Sequence, residues 1–345
     1  MNHSEIIADR SITVCDAMRI IDRSELRIVF IADRGRLIGT LTDGDVRRYL
    51  YKGGSIEDPA ENAANHSPRT ARDHLLAAEL YDRLDYIAIP IIGEDGMITD
   101  IYVGEERPQE KFTPIDVPVV INAGGKGTRL DPFTRVLPKP LIPVGDLPII
   151  EHIMQRFEKY ACTDFSVIVN YKKELIKAYF RETEKQYNVT WYDEEKPLGT
   201  GGGLSLLKGK MDGTFVFTNC DTLLLSDYDS IIRFHKNNGN AVTMICAWKN
   251  LQIPYGVVDM GINGAIEKIR EKPELSFLTN TGMYILEPEV IDDVPDDTPI
   301  TMPEIAQMEM EKGRRVAAFP ANESDWLDMG QMSELEKMRE RLYGK

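Results

Sequence analysis

The sequence of 345 residues has few cysteines, no long apolar run and no excess of positive charge. Its four cysteines are scattered, with no C-x-x-C and no paired spacing, which predicts reduced thiols in a cytosolic protein. No apolar run approaches the roughly 18 residues that a membrane-spanning helix needs. Residues 1–20 show no apolar signal-peptide core. These absences predict a soluble, cytoplasmic protein.

The charge balance is acidic, with 41 Lys and Arg against 56 Asp and Glu and a formal net charge of −15. Such a field argues against nucleic acid or an anionic membrane as a partner. At roughly 150 residues per domain, the length predicts two or three domains.

A glycine-rich stretch follows a short apolar run near residue 120. Residues 119–121 (VVI) predict a buried strand, and residues 124–129 (GGKGTR) follow it. Glycines at a strand end allow backbone N–H groups to approach a ligand, while a nearby Arg and Lys add positive charge. Lys139, between two prolines, is the second basic residue of this stretch. The pattern predicts a polyphosphate-binding loop.

Two better-known phosphate loops do not fit these residues. A Walker A motif needs a Gly-Lys pair followed by Ser or Thr, but Gly127 separates Lys126 from Thr128. The dinucleotide fingerprint needs a different glycine spacing and an acidic residue at the end of the next strand.

The remaining pattern, G-G-x-G-T-R-L-x-P-x-T followed by P-K-P, resembles the signature of the nucleoside-diphosphate-sugar pyrophosphorylases. This family implies a Rossmann-like, mostly parallel α/β nucleotidyltransferase domain that transfers a nucleotide to a sugar 1-phosphate. Alternating strand and helix patterns between residues 149 and 319 agree with such a sheet. The resemblance covers about residues 117–330.

Further segments match the family in the same order. Asp221 ends the run FVFTNCD and Asp328 lies in WLDMG, and the resemblance makes both of them ligands of Mg²⁺. It assigns catalytic roles to Arg129, Lys139 and Lys272. Nucleotide binding falls to residues of the glycine-rich stretch and of the segment PLGTGG: Ala123, Gly124, Gly125, Gly127, Thr128, Gly199 and Thr200. Sugar-phosphate binding falls to residues of the segments YGVV, EKP and NTGMY: Gly256, Glu271, Asn280 and Thr281.

Two details of these segments lead to separate expectations. Gly201 replaces the alanine usual in this family, which predicts a looser loop. Asp146 is the expected N-cap of a helix whose apolar face begins at Ile149.

The first hundred residues contain a weak internal repeat. Two strand–turn–strand patterns have their turns at Gly35 and Gly96, and each follows a helical stretch. A tandem unit of helix, two strands and helix resembles a pair of cystathionine-β-synthase-type (CBS) modules. We therefore expect a smaller α/β CBS pair in residues 1–108 (about 8–56 and 57–106), a linker in 109–115 and the transferase domain in 116–345.

The expected first CBS copy contains the segment TDGD, which is similar to the usual ending of such modules. The resemblance implies that Thr42 and Asp45 contact an adenine nucleotide. Thr42 and Asp45 also have the spacing of a helix capping box. Capping alone and capping combined with regulatory nucleotide binding therefore both stay open.

The resemblance also implies the substrates. A CBS-first order is similar to glucosamine-1-phosphate guanylyltransferases, and mannose- and heptose-1-phosphate guanylyltransferases share the transferase motifs. GTP is the expected nucleotide, with UTP, dTTP and CTP as alternatives, because no residue reads a base unambiguously. A homo-oligomer is expected. The rival interpretation is a non-catalytic subunit that binds a nucleotide sugar.

Overall fold

The structure is a computed structural model that describes residues 3–24, 26–84, 87–104, 112–183 and 187–343. The chain divides into two compact units, Met1–Lys111 and Phe112–Lys345. Residues 109–111 of the predicted linker lie outside the described residues. Within the described part, no helix is long and apolar enough to cross a membrane.

The N-terminal unit is a small α/β structure. Its elements are β1 (Ile7–Asp9), α1 (Val14–Arg23), β2 (Ile28–Asp33), β3 (Arg36–Thr42), α2 (Asp43–Tyr51), α3 (His74–Leu84), β4 (Ile89–Ile92) and β5 (Ile98–Tyr102). Strand β2 pairs in parallel with β1 and antiparallel with β3, and β4 and β5 form a separate hairpin. Helix α1 buries Val14, Ala17 and Ile21 because these residues share one helical face.

The two hairpins of this unit contact each other through their turns. The N–H of Leu37 donates to the carbonyl of Gly96, and the N–H of Ile98 donates to the carbonyl of Gly35. The two bonds join positions that are equivalent in the sequence repeat, since Gly35 and Leu37 correspond to Gly96 and Ile98. Residues 105 and 106, at the end of the predicted second copy, lie outside the described part.

The C-terminal unit contains thirteen strands and seven helices within the described residues. The strands are β6 (Val119–Asn122), β7 (Pro143–Val144), β8 (Leu147–Pro148), β9 (Asp164–Val169), β10 (Asn188–Asp193), β11 (Phe215–Asn219), β12 (Thr222–Leu224), β13 (Val242–Gln252), β14 (Val257–Met260), β15 (Ile266–Arg270), β16 (Glu274–Leu286), β17 (Val316–Ala321) and β18 (Trp326–Asp328). The helices are α4 (Phe133–Val136), α5 (Ile149–Glu158), α6 (Lys173–Glu182), α7 (Tyr228–Asn237), α8 (Pro288–Asp293), α9 (Met302–Glu311) and α10 (Met332–Tyr343).

Seven of these strands form the central sheet in the order β10-β9-β6-β11-β16-β13-β17. All neighbouring pairs are parallel except the two that include β16, so the predicted mostly parallel α/β fold is confirmed. Alternate residues of β6 enter different cores: Val119 and Ile121 pack in one, and Val120 packs in the other. Both faces of the sheet are therefore covered.

Two features differ from the sequence-based expectations. Helix α5 has Pro148 as its N-cap, so the prediction of Asp146 was wrong. The cause is the short β7–β8 hairpin, which occupies this stretch and starts the helix two residues later than an Asp146 cap requires. In addition, the pairing of β13 and β16 continues from Ala247↔Thr279 to Gln252↔Glu274. The chain between these two strands forms the separate β14–β15 hairpin. We call residues 247–279 the arm.

Candidate active site

The glycine-rich loop leaves the end of β6 and presents unused backbone donors. Within the described residues, the N–H groups of Gly125, Lys126, Gly127 and Thr128 make no hydrogen bond. Successive free N–H groups in a turn form a concave anion-binding surface. The N–H of Ala123 differs, because it donates to the carbonyl of Ile168 over 2.8 Å. Ala123 therefore anchors the loop to the sheet, and the free donors begin after it.

Gly127 brings this loop against the segment that carries Lys139. Its φ of 65° lies in the left-handed region that favours glycine. A Cβ at this position would lie 2.9 Å from Thr134 Cγ2 and 3.1 Å from Lys139 Cβ. The close packing holds the Lys139 side chain beside the free N–H groups.

Lys139 forms an ion pair with Asp221. Their side chains are only 10% and 14% exposed, so the pair is largely shielded from water. Lys139 is the first residue of the short 3-10 helix Lys139–Leu141, whereas Asp221 lies two residues after the end of β11. Two predicted site residues, 82 positions apart, therefore meet.

The second predicted metal ligand lies beside this pair. Strands β12 and β18 are antiparallel with Thr222 opposite Asp328, and the N–H of Met329 donates to the carbonyl of Asp221 over 2.9 Å. Asp221 and Asp328 are therefore neighbours, although they are 107 residues apart in the sequence. The Asp328 carboxylate accepts a 2.9 Å hydrogen bond from the N–H of Gly330.

The carboxylate pair has the electrostatics of a cation site. Burial and the negative charge of Asp221 raise the pKa of Asp328, while Lys139 and Arg129 act in the opposite direction. A bound divalent cation would offset this repulsion. Within the described residues, no third His, Cys, Asp or Glu completes a protein-only metal cluster. Two carboxylates suit Mg²⁺, which keeps positions for phosphate oxygens and water.

The segment PLGTGG lies against the residues that open α9. The Thr200 hydroxyl accepts a hydrogen bond from the N–H of Met302, and the Thr200 carbonyl accepts one from the Asn122 side chain. The N–H groups of Gly201 and Gly202 both donate to the carbonyl of Ile300.

Gly199 and Gly201 of this segment closely approach residues just before and within the first turns of α9. A Cβ at Gly199 would lie 2.6 Å from the carbonyl oxygen of Ile300. A Cβ at Gly201 would lie 2.5 Å from Ile305 Cδ1 and 3.1 Å from the Met302 nitrogen. The expectation that Gly201 loosens the loop is therefore wrong, because neighbouring residues fill the space of the missing methyl group.

Glu194, which the motif comparison did not select, lies next to Gly124 of the glycine-rich loop and next to Gly203, the residue after the segment PLGTGG. Its carboxylate oxygens would lie 2.8 Å from a Cβ at Gly124 and 2.7 Å from a Cβ at Gly203. The residue is 3% exposed, and Oε1 has no hydrogen-bond partner among the described residues. Burial raises the pKa of Glu194 to about 7, although a backbone hydrogen bond from Leu198 acts against the shift. A buried, half-satisfied carboxylate in this position is a candidate ligand-binding group.

The predicted sugar-phosphate residues lie in two places. Thr281 is buried, and its carbonyl accepts a 2.8 Å hydrogen bond from the hydroxyl of Thr222, next to Asp221. Asn280, its neighbour, donates to the hydroxyl of Tyr284 and accepts from the N–H of Gly282. These two residues therefore adjoin the carboxylate pair.

The other predicted sugar-phosphate residues lie within the arm, at the two ends of its β14–β15 hairpin. The Glu271 carboxylate lies over Gly256, 3.0 Å from where a Cβ would stand. Lys272 is exposed and has a φ of 45°. In the described part of the chain, no hydrogen bond or ion pair joins Glu271 or Lys272 to Lys139, Asp221 or Asp328. The predicted site residues thus form a main cluster and a separate group on the arm.

The sequence patterns missed Asn122 as well as Glu194. The Asn122 side chain accepts from the N–H of Gly124 and donates to the carbonyl of Thr200, so it joins the two loops. Their position at strand ends could have identified both residues, since Asn122 ends β6 and Glu194 directly follows β10. Polar residues at the carboxyl ends of parallel strands commonly line a site.

In the N-terminal unit, Thr42 and Asp45 contact each other at the start of α2. The Asp45 carboxylate accepts hydrogen bonds from the N–H and hydroxyl of Thr42 and forms an ion pair with Arg48. Helix capping is thus present. Asp45 and Arg48 also line a polar pocket of about 750 Å³, together with Lys52 and Asn65.

Comparisons with known proteins point to one family for the C-terminal unit. The model of the nucleotidyl transferase family matches residues 118–343, and the CBS domain model matches residues 1–52. Mannose-1-phosphate guanyltransferase of Pichia angusta is 37% identical over 183 residues, which are 50% of this chain and 50% of that protein. The Saccharomyces cerevisiae protein of the same name is 32% identical over 221 residues, 61% of each chain. The chain thus spans 50–61% of the length of these relatives.

Solved structures show the same fold. HddC from Yersinia pseudotuberculosis gives a TM-score of 0.52 at 24% identity, over 66% of this chain and 99% of that chain. A structure of HddC complexed with GMP-PN gives a TM-score of 0.50 at 23% identity over the same shares. Because the family model matches well over half of the sequence, the chain belongs to the nucleotidyl transferase family and carries a CBS domain at its N-terminus.

Proposed function

We propose that the protein joins a sugar 1-phosphate to GTP and releases pyrophosphate. The observation that carries this proposal is the meeting of Lys139, Asp221 and Asp328 next to a row of free backbone N–H groups. Such a site offers anion-binding donors, a buried ammonium and a carboxylate pair suited to Mg²⁺. These are the groups that phosphoryl transfer requires.

The proposed chemistry needs positioning and charge neutralisation more than proton transfer. A sugar 1-phosphate has a second pKa of about 6, so it is mostly a dianion at neutral pH and needs no general base. One of its oxygens attacks the α-phosphorus of GTP in line, the bond to the β-phosphate oxygen breaks, and pyrophosphate leaves with that electron pair. The free N–H groups after Gly124 hold phosphate oxygens, and Lys139 and Arg129 neutralise charge that spreads during transfer.

Asp221 and Asp328 would hold the metal ion. When bound, Mg²⁺ supplies positive charge to the phosphate oxygens as a Lewis acid. Lys272 and Glu271 would bind the phosphate and a hydroxyl of the sugar from the arm.

Glu194 supports GTP over other nucleotides. Guanine is the base whose Watson–Crick edge presents two adjacent donors, N1–H and the N2 amino group, and a carboxylate is an acceptor for both. Uracil and thymine present one N–H between two carbonyl oxygens, which would face the Glu194 carboxylate unfavourably. The names of the mannose-1-phosphate guanyltransferase relatives support the same choice.

The sugar is proposed only by class. The order of the two units favours glucosamine 1-phosphate, whereas the names of the relatives favour mannose 1-phosphate. Pyrophosphate release should therefore be assayed with GTP, UTP, dTTP and CTP against both sugar phosphates and related ones. Activity with GTP and a sugar 1-phosphate is expected, and turnover with UTP alone would overturn the choice of base.

The rival function, nucleotide-sugar binding without catalysis, is tested in the same assay. Asp221→Ala should abolish turnover, whereas a wild type without turnover for any pair would favour the rival. Lys139 and both carboxylates are present and lie together, which favours catalysis.

The N-terminal unit is proposed to bind an adenine nucleotide that regulates the enzyme. The pocket beside Asp45 contains Arg48 and Lys52, which suit an anionic ligand. Calorimetry of the full-length protein with AMP and ATP, with Lys52→Glu as the comparison variant, should detect binding. No heat with either nucleotide would leave the unit with an assembly role.

We further propose that the protein is a homo-oligomer with an interface on the arm. On the β14–β15 hairpin, Val258 lies opposite Ile269 and Met260 lies opposite Ile266, and each of the four is more than half exposed. The other face carries an ion pair between Arg270 and Asp259. A hairpin with an exposed apolar face is marginally stable unless a partner covers it. A second copy of the chain is a suitable partner for this face. The ion pair keeps the local charge of the hairpin balanced, although the chain as a whole is strongly acidic.

A further inference from the structure

The segment between the glycine-rich loop and Lys139 has little apolar packing of its own. We call residues 131–138 the bridging segment, and its helix α4 spans only Phe133–Val136. Phe133 and Val136 are 52% and 73% exposed, so they do not anchor it to the core. A helix of one turn is not stable alone, since nucleation outweighs the few bonds it forms. Contacts from elsewhere must hold the bridging segment.

Those contacts come from Tyr171 and Lys172, which precede α6. The Lys172 ammonium donates to three successive carbonyls at the end of α4, those of Thr134, Arg135 and Val136. The hydroxyl of Tyr171 donates to the carbonyl of Thr134 over 3.2 Å. A cation at a helix C-terminus satisfies carbonyls that have no partner within the helix. The two residues thus complete the end of α4.

The same dipeptide also reaches the glycine-rich loop. The N–H of Tyr171 donates to the carbonyl of Gly124 over 3.4 Å. Thr134, which lies under the ammonium, donates through its hydroxyl to the carbonyl of Gly127 over 3.1 Å. Gly127 in turn packs against Lys139. A continuous set of contacts therefore runs from Tyr171 and Lys172 to both ends of the phosphate loop.

Lys172 adopts an unfavourable backbone conformation at this point. Its φ is 51° and its ψ is 35°, in the left-handed region that costs a residue with a Cβ roughly 1 kcal/mol. Such conformations persist where the surrounding contacts require them. Here the required contacts are the three carbonyls of the bridging segment.

We propose that Tyr171 and Lys172 are positioning residues that fix the bridging segment and so preset the spacing of Gly127 and Lys139 for the nucleotide phosphates. The kinetic part of this inference rests on the proposed function. Neither residue needs to contact substrate. Their effect is to keep the free enzyme in the conformation that binds nucleotide, which lowers the apparent KM for GTP.

The experiment compares the wild type with Lys172→Met, Lys172→Arg and the matched control Lys177→Met. Lys177 lies on α6, which begins directly after Lys172, and it pairs with Asp193. Among the described residues, Lys177 makes no hydrogen bond or ion pair with the bridging segment. We call the contacts of Tyr171 and Lys172 with the bridging segment the clamp. If loss of the clamp leaves about one tenth of the enzyme in the conformation that binds GTP, the KM for GTP rises about tenfold in Lys172→Met. The kcat at saturating GTP should stay within about twofold, because bound phosphate restores the order. Lys172→Arg should recover most of the loss.

Two controls separate this positioning role from general destabilisation and from long-range attraction of the nucleotide. General destabilisation would lower the melting temperature and kcat without a selective rise in KM. A long-range attraction by the Lys172 charge would be screened at 0.5 M salt, since the Debye length is then only a few ångströms. The rise in KM for Lys172→Met should persist at that salt concentration.

Hydrogen exchange tests the clamp without relying on activity. The N–H groups of Leu130, Asp131, Arg135 and Leu137 donate backbone hydrogen bonds in and next to the bridging segment. These amides should exchange faster in Lys172→Met than in the wild type, and Lys177→Met should leave them unchanged. If Lys172→Met does not fold, Tyr171→Phe removes one bond only and should give a smaller effect of the same kind. Unchanged exchange in the Lys172 and Tyr171 variants overturns the proposal, as does a loss of kcat alone. If the wild type lacks turnover but exchange changes as expected, the clamp stands and the proposed function fails.

Discussion

At the scale of single residues, Glu194 combines features that rarely occur together in an ordinary buried acid. It is 3% exposed, its Oε1 lacks a partner among the described residues, and two glycines leave room for its carboxylate. Its pKa is raised to about 7 because burial disfavours the charged form. A guanine edge would supply the missing donors and favour that form.

The proposed contact between Glu194 and guanine predicts that the preference for GTP depends on pH. Guanine needs the ionised carboxylate, which is lost as pH falls through about 7. The kcat/KM for GTP, which reports the free enzyme, should therefore rise between pH 6 and pH 8. With sugar phosphate saturating, Glu194→Gln should remove this rise, lower kcat/KM for GTP by at least about tenfold, and improve the relative use of UTP.

A Glu194→Gln enzyme that keeps the wild-type pH profile and the same order of nucleotides would contradict the assignment. The matched control is Glu195→Gln, since Glu195 is the exposed neighbour of Glu194.

Lys139 and Asp221 form a largely buried ion pair, and their removal should affect stability as well as catalysis. Lys139→Met leaves Asp221 unpaired beside Asp328, which should lower the free energy of unfolding by about 3 kcal/mol. The double variant with Asp221→Asn should recover much of that loss, because one of the two carboxylates is gone. Urea unfolding followed by circular dichroism at pH 8 with EDTA measures both effects.

The stability of the Lys139→Met variant can also contradict this prediction. Equal stability of Lys139→Met and the wild type would mean that water solvates Asp221 fully in the folded protein. Added Mg²⁺ should stabilise Lys139→Met, since a ligand that binds only the folded state shifts the equilibrium.

At the scale of elements, sequence patterns located the main strands and helices because their apolar periods were strong. Residues 119–121 were predicted as a buried strand and form part of β6. The arm was not predicted. Strand β16 extends back to Glu274 through a largely exposed stretch, so it lacks the apolar alternation that identifies a half-buried strand.

In the candidate site, too, some residues could be predicted from the sequence and others could not. Motif residues such as Lys139, Asp221 and Asp328 were identified because their spacing with Gly and Pro is distinctive, and the fold brings them together. Glu194 and Lys172 carry no motif. Their proposed roles depend on which loop each side chain reaches, and that is set by the packing of β9, β10 and α6.

At the scale of the whole molecule, the net charge of −15 opposes self-association at any face that shares the average composition. The β14–β15 face differs, because its exposed side chains Val258, Met260, Ile266 and Ile269 are all apolar. Two copies related by a twofold axis would bury this face against itself and stabilise the hairpin, which is followed directly by Glu271 and Lys272. Oligomerisation would then hold Glu271 and Lys272, the residues proposed to bind the sugar phosphate, in one conformation.

The last prediction follows from this arrangement. Sedimentation velocity should show a dimer or larger oligomer for the wild type, and Met260→Glu should shift it towards the monomer by placing a charge in the apolar contact. Met310→Glu is the matched control, because Met310 is 55% exposed but lies on α9. It should keep the wild-type mass. A monomeric wild type, or a Met260→Glu variant with unchanged mass, would exclude this face as the interface. If the arm is ordered by the contact, Met260→Glu should also raise the KM for the sugar phosphate and leave the KM for GTP nearly unchanged, since Gly127 and Lys139 do not lie on the arm.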